Sequence, residues 1–125
     1  MTTYLDTHVL IWLAEGELEK IGNQARAMIQ SCEVLACPMA VLELQLLHEI
    51  GKLRWSGAAI AEQLSRDIGL QISSLGFDEV AAAACNESWT RDPFDRLIVA
   101  QARASALPLI TKDKMIHAHF AAAVW

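Results

Sequence analysis

Four acidic residues stand where a carboxylate is expensive. Glu43 lies in a helical run that opens at Pro38 and stops at Gly51. Its helical neighbours three and four positions away are Met39, Ala40, Leu46 and Leu47. A carboxylate on such a face costs free energy unless it is paired or binds a metal, and no basic residue lies within helical reach. Asp95 raises the same question. Asp92 is a plausible N-cap, Pro93 fills the first helical position, and Asp95 shares a stripe with Ile98, Val99 and Ala102. Asp6 ends the first apolar run, and Asp113 follows Leu109-Ile110-Thr111. Taken singly, each of these two reads equally well as a turn or cap residue. Gathered on one rim, four carboxylates would raise one another's pKa, and a divalent cation would relieve the repulsion. All-oxygen donors suit Mg²⁺ or Mn²⁺. A metal held this way orients and deprotonates water for in-line attack on phosphorus.

The elements that must position these acids alternate along the chain. Thr2–Leu5 is an expected strand, and Val9–Leu13 the first turns of a helix. Ile21–Ile29 has helical spacing, Glu33–Ala36 is a brief strand, and Pro38–Ile50 a helix that is apolar nearly all round, which predicts burial. A second helical run goes from Ser56 to Gly69, with Ile60, Leu64 and Ile68 on one stripe. Leu70–Ser73 is a strand candidate, Phe77–Asn86 an alanine-rich helix, and Asp92-Pro93 opens a helix reaching about Ser105. Leu107–Thr111, Lys114–Phe120 and Val124-Trp125 follow as strand, short helix and last strand. The alternation predicts one α/β domain over residues 1–125: a central, mostly parallel sheet of about five short strands, flanked by helices. In open parallel sheets the ligand crevice lies at the carboxyl ends of the strands, which is where Asp6 and Asp113 fall.

Four blocks of the chain resemble the PIN-domain family, and specifically its VapC-type toxins of bacterial toxin–antitoxin pairs. They are Leu5-Asp6-Thr7-His8-Val9-Leu10, Pro38-Met39-Ala40-Val41-Leu42-Glu43-Leu44, Arg91-Asp92-Pro93-Phe94-Asp95-Arg96-Leu97-Ile98-Val99-Ala100 and Leu109-Ile110-Thr111-Lys112-Asp113. The family often carries a Trp just before its second acid; here that residue is Leu42. The resemblance implies a metal-dependent endoribonuclease with Asp6, Glu43, Asp95 and Asp113 holding Mg²⁺ or Mn²⁺. Thr7 and Thr111 would support them, with Asp92 as a helper. It further implies an RNA substrate, a cognate antitoxin and a homodimer.

Other features narrow the reading. Arg91, Arg96, Lys112 and Lys114 flank the third and fourth acids, where they read either as RNA phosphate contacts or as a solvated rim. His8, His48, His117 and His119 are scattered and form no zinc set; His8 reads as a substrate contact or a structural residue. Trp12, Trp55, Trp89 and Trp125 suit core or dimer packing better than base stacking, Trp12 and Trp125 above all. Three cysteines among apolar neighbours predict small buried thiols and a cytoplasmic setting. No apolar run is long enough to span a bilayer, so no membrane partner is expected. The net charge of −5 excludes binding of nucleic acid by bulk positive charge. Setting four of the fifteen acids at one site leaves the remainder nearly neutral. Two rival readings are a receiver-like Mg²⁺-binding signalling module and a catalytically inactive PIN-like binding module. A receiver needs an acceptor Asp ending a central mid-chain strand, and no such strand is predicted.

Overall fold

A computed structural model describes residues 1–73 and 75–125. Its centre is a five-stranded sheet in the order β3-β2-β1-β4-β5. The strands are β1 Thr2–Leu5, β2 Glu33–Ala36, β3 Gln71–Ile72, β4 Leu109–Ile110 and β5 Ala123–Val124. Every ladder between them is parallel, so each successive strand needs a crossover. The helices that supply these crossovers are α1 Thr7–Glu15, α2 Asn23–Ser31, α3 Pro38–Glu49, α4 Gly57–Ile68, α5 Phe77–Ala84, α6 Pro93–Ala104 and α7 Lys114–His119. A 3-10 turn at Leu18–Lys20 lies between α1 and α2, in a stretch with no sequence expectation.

The strand order reverses at β1. From there the chain builds outward through β2 to β3, then returns to place β4 on the opposite side. Such a switch point leaves a crevice above the carboxyl ends of the two neighbouring strands. Register fixes which residues meet there. Leu5 pairs with Ile110, and the Asp6 N–H bonds to the Ile110 carbonyl at 3.0 Å, so Asp6 and Thr111 emerge side by side.

The core forms around this seam. Tyr4 and Leu5 of β1, Leu109 and Ile110 of β4, and Ile98, Val99 and Ala102 of α6 are buried together with Val9, Leu10 and Leu44. Each large apolar side chain removed from water contributes about 1.5–3 kcal/mol. The buried Tyr4 hydroxyl keeps polar partners, at 2.8 Å from Ser73 Oγ and 3.0 Å from Ser105 Oγ. The α6 stripe predicted to face inward therefore does so, and it carries Asp95 toward the crevice.

Two expectations are corrected. Helix α3 is not buried all round: Ala40 and Leu44 face the core, whereas Leu42 and Leu46 are 46% and 41% exposed. Only one side of α3 meets α1, α4 and α6, so its second apolar face stays in solvent. The cysteines also differ. Cys37 is buried and donates to Gln101 Oε1 at 2.9 Å, while Cys32 is half-buried and Cys85 exposed. Cys85 follows the last turn of α5, past the stripe that Val80 and Ala84 bury.

Helix α3 is held by close backbone approach to α4. A Cβ on Gly57 would come within 2.4 Å of the Val41 carbonyl oxygen and 3.1 Å of the Gln45 amide nitrogen. Backbone cannot yield as a flexible side chain does, so the helices would have to separate. Gly57→Ala is expected to lower stability by about 1–3 kcal/mol in a denaturant melt. An unchanged midpoint would show that α3 and α4 do not pack this closely.

Candidate active site

Three of the acids cap helices whose N-termini meet at the crevice. Asp6 Oδ1 accepts from the Thr7 N–H at 2.8 Å at the head of α1. Asp92 Oδ1 accepts from the Phe94 N–H at 2.9 Å at the head of α6. Asp113 Oδ1 accepts from the Met115 and Ile116 N–H groups at 2.8 and 3.0 Å at the head of α7. Capping satisfies amides that have no partner within the helix, and the positive end of each macrodipole favours the carboxylate.

Two threonines tie these acids together. The Thr111 hydroxyl donates to Asp6 Oδ2 at 2.6 Å and accepts from the Asp113 N–H at 3.1 Å. The Thr7 hydroxyl donates to Glu43 Oε1. One chain of hydrogen bonds therefore runs from Asp113 through Thr111, Asp6 and Thr7 to Glu43, joining β4, β1, α1 and α3. Asp6 is only 2% exposed, and Thr7 and Thr111 are buried with it.

Glu43 and Asp95 cap no helix. Burial pushes Glu43 up; the Thr7 hydrogen bond opposes this, and the charges of Asp6 and Asp92 add to it. Asp95 has no offsetting donor. Burial, then the charges of Asp92, Asp6, Asp113 and Glu43, push its carboxyl up to about 7. All five acids thus act on one region, and that region repels further negative charge.

The donors fit a hard divalent cation in kind, being carboxylate oxygens throughout. Among the described residues, however, no three His, Cys, Asp or Glu side chains converge on a single coordination point. Each of the three capping carboxylates turns Oδ1 toward its own helix.

The basic residues are placed differently from one another. Arg91 donates to the Ser88 carbonyl at 2.9 Å, and Arg96 to the Thr90 carbonyl at 2.7 Å. Both therefore fasten the loop before α6. Lys112 and Lys114 are exposed on either side of Asp113. His8 Nε2 lies 3.4 Å from Asp6 Oδ2 and has no hydrogen-bond partner among the described residues. His117 approaches the Thr111 carbonyl at 2.7 Å, and His119 stacks on Trp89. Trp12 packs against the core and on Trp125, as expected, and it also borders an open recess with His8, Lys112 and Asp113. The three-residue offset between Trp12 and the α1 residue Val9 holds no signal of this.

A parallel sheet with its acids at the β1–β4 switch point matches a known family. The PIN domain model aligns with residues 3–121, and the chain belongs to that family. Ribonuclease VapC22 of Mycobacterium tuberculosis is 29% identical over 124 residues, covering 94% of this chain and 92% of that protein. Two solved complexes share the fold. VapBC2 from Rickettsia felis, bound to a DNA fragment from its promoter, has a TM-score of 0.61 at 17% identity, over 94% of this chain and 92% of that one. A toxin-antitoxin complex from Klebsiella pneumoniae has a TM-score of 0.61 at 18% identity, over 98% and 96% of the two chains. The receiver-like reading is set aside by this family membership. The mid-chain strands agree, since β2 and β3 end at Ala36 and Ile72.

The charge at Asp95 has a consequence for stability. Its folded pKa of about 7 lies above the ordinary 3.8, so the folded chain holds this proton when the unfolded chain has lost it. Stability from this group is complete below the unfolded value and is lost as pH rises through 7. Asp95→Asn removes that loss. In EDTA it is expected to raise stability at pH 8 by about 1–2 kcal/mol, discounted for solvent screening, and to change it little at pH 4. Equal effects at the two pH values would show that neither burial nor the neighbouring acids hold the Asp95 proton.

Proposed function

We propose that this chain is a metal-dependent endoribonuclease and the toxin of a VapBC-like toxin–antitoxin pair, acting in the cytoplasm. The observation that carries this is the hydrogen-bonded chain of Asp113, Thr111, Asp6, Thr7 and Glu43 at the switch point, with Asp95 facing the same charges. The relationship to Ribonuclease VapC22 supports the activity, and the likeness to toxin–antitoxin complexes supports an antitoxin partner.

In this reading Asp6, Glu43, Asp95 and Asp113 hold Mg²⁺ or Mn²⁺. A cation held there would supply Lewis acidity toward water and phosphate. The protein's own part is to fix the ligands. Thr111 and the Thr7 amide hold both oxygens of Asp6, so its carboxylate cannot rotate. Thr7 holds one oxygen of Glu43 and leaves the other open. Asp92 anchors the turn that presents Asp95. The Lys112 and Lys114 ammonium groups, with the unused donors of Arg91 and Arg96, take RNA phosphates around the site. Water forms a new P–O bond and gives up a proton as the phosphodiester P–O bond breaks, and the departing oxygen takes up a proton, so the exchange balances.

The test is cleavage of RNA by the purified chain. Activity is expected with Mg²⁺ or Mn²⁺ and none in excess EDTA. Asp6→Asn and Asp95→Asn should each lower kcat/KM by about 10²-fold or more, with the fold retained by circular dichroism. Robust cleavage in EDTA would falsify the metal-dependent mechanism.

The exposed face of α3 supports the homodimer. Leu42, 46% exposed, and Phe77, 71% exposed, border an apolar groove of about 270 Å³ between α3, α5 and α6. A second copy covering this face would remove both side chains from water. Light scattering is expected to give twice the chain mass for the wild type and a single chain mass for Leu42→Glu. A monomeric wild type at micromolar concentration would rule this dimer out.

A further inference from the structure

A recess adjoins the carboxylate site beside Asp113. It is open, about 430 Å³ in volume, and lined by His8, Trp12, Lys112 and Asp113. It is shallow, so an incoming ligand can reach its wall directly from solvent. Its wall is aromatic, its rim carries one ammonium, and it shares Asp113 with the carboxylate site. His8 stands between the two, 3.4 Å from Asp6 Oδ2 on one side and with its ring centroid 5.4 Å from that of Trp12 on the other.

The aromatic wall is braced. Trp125 packs against Trp12 with centroids 5.8 Å apart. Trp125 is in turn seated on Gly22, where a Cβ would come within 3.0 Å of the indole and 3.1 Å of the Trp125 carbonyl carbon. The Trp12 ring is thus fixed before any ligand arrives, which lowers the entropic cost of binding. The Lys112 ammonium lies over the same ring, 5.9 Å from its centroid. It sits on a flexible stem, so it can reach a phosphate without leaving the recess.

A flat π surface beside one cation, adjoining a site for a phosphodiester, matches one ligand chemistry: a base joined to a phosphate. We propose that this recess is a nucleobase subsite. It receives the unstacked base of a nucleotide adjoining the scissile phosphate, with Trp12 as the stacking surface and Lys112 as the phosphate contact. The subsite rests on the ribonuclease reading above. It gives the enzyme a grip on single-stranded RNA, whose bases are free to stack on aromatic side chains, and stacking of this kind tolerates every base. It also gives an acidic chain an uncharged source of affinity for its substrate.

The test uses ligands that cannot be cleaved. AMP and UMP are titrated against ribose 5-phosphate in Mg²⁺, with tryptophan fluorescence as the readout. Both nucleotides are expected to quench the fluorescence and to bind at least about 10-fold more tightly than the sugar phosphate, the increment that base–aromatic stacking supplies. Trp12→Phe preserves an apolar ring against Trp125 and is expected to abolish the quench. Lys112→Ala, at an exposed position, is expected to weaken nucleotides and ribose 5-phosphate by the same factor. Equal affinity for nucleotides and ribose 5-phosphate overturns the subsite, and so does an undiminished quench in Trp12→Phe. RNA cleavage is measured separately. A wild type that cleaves no RNA yet discriminates the base retains the subsite and loses the ribonuclease reading. Cleavage without base discrimination does the reverse.

Discussion

A carboxylate buried at the end of the central strand constrains the whole molecule. Asp6 is almost fully removed from water, and an ionised carboxylate there is costly unless its oxygens are satisfied. Its partners come from two directions. The Thr7 amide is local, arriving as the chain turns from β1 into α1. The Thr111 hydroxyl comes from a residue more than a hundred positions later, and it arrives only if β4 lies beside β1, parallel and in register. The strand order and the solvation of one carboxylate are therefore the same requirement. A one-residue slip of β4 would turn Thr111 to the other face and leave Asp6 Oδ2 without its donor.

The helix termini extend the same logic outward. Asp6, Asp92 and Asp113 head α1, α6 and α7, so three positive helix ends point at the crevice. Each cap stabilises its helix locally and brings a negative charge to a common region. Glu43 approaches from the interior of α3, and Asp95 from the first turn of α6, where neither caps a helix. Both are pushed up in pKa by burial and by their acidic neighbours. The fold tolerates this unfavourable cluster because the surrounding seam of β1, β4 and α6 is densely apolar. Strain of this sort, concentrated at one place and offset elsewhere, is characteristic of functional sites.

Local signals made much of this legible. Pro38 and Pro93 opened their helices, Asp92 capped where a cap was expected, and the inward stripe of Ile98, Val99 and Ala102 is buried. Glu43 stood out because its neighbours were apolar, and it does lie against Thr7. Features set by tertiary contact were not legible. Hydropathy does not show which apolar face of α3 finds a partner, so the expected burial all round fails at Leu42 and Leu46. Arg91 and Arg96 lie near the acids in sequence, but the carbonyls of Ser88 and Thr90 that engage them are revealed only by the path of the loop. Trp12 packs as expected, on Trp125. The ring also borders the open recess, where the Lys112 ammonium lies over it.

These placements bear on how an acidic chain handles a polyanion. With a net charge of −5 and its acids drawn together, the crevice repels phosphate at every distance within a Debye length. The lysines on its rim are too few to reverse that field, and two of the nearby arginines are engaged with the loop that carries them. Under the proposed reading, these few cations supply only part of the affinity for RNA, and the rest comes from other sources. A divalent cation inverts the sign of the field at the reacting phosphate itself, where it is needed for chemistry. Stacking on a braced indole adds attraction that salt does not screen. Both act at short range and on particular atoms, so the substrate is held only where a phosphodiester and an unstacked base are presented together. The same acidity that excludes non-specific binding along duplex nucleic acid thereby becomes a source of selectivity.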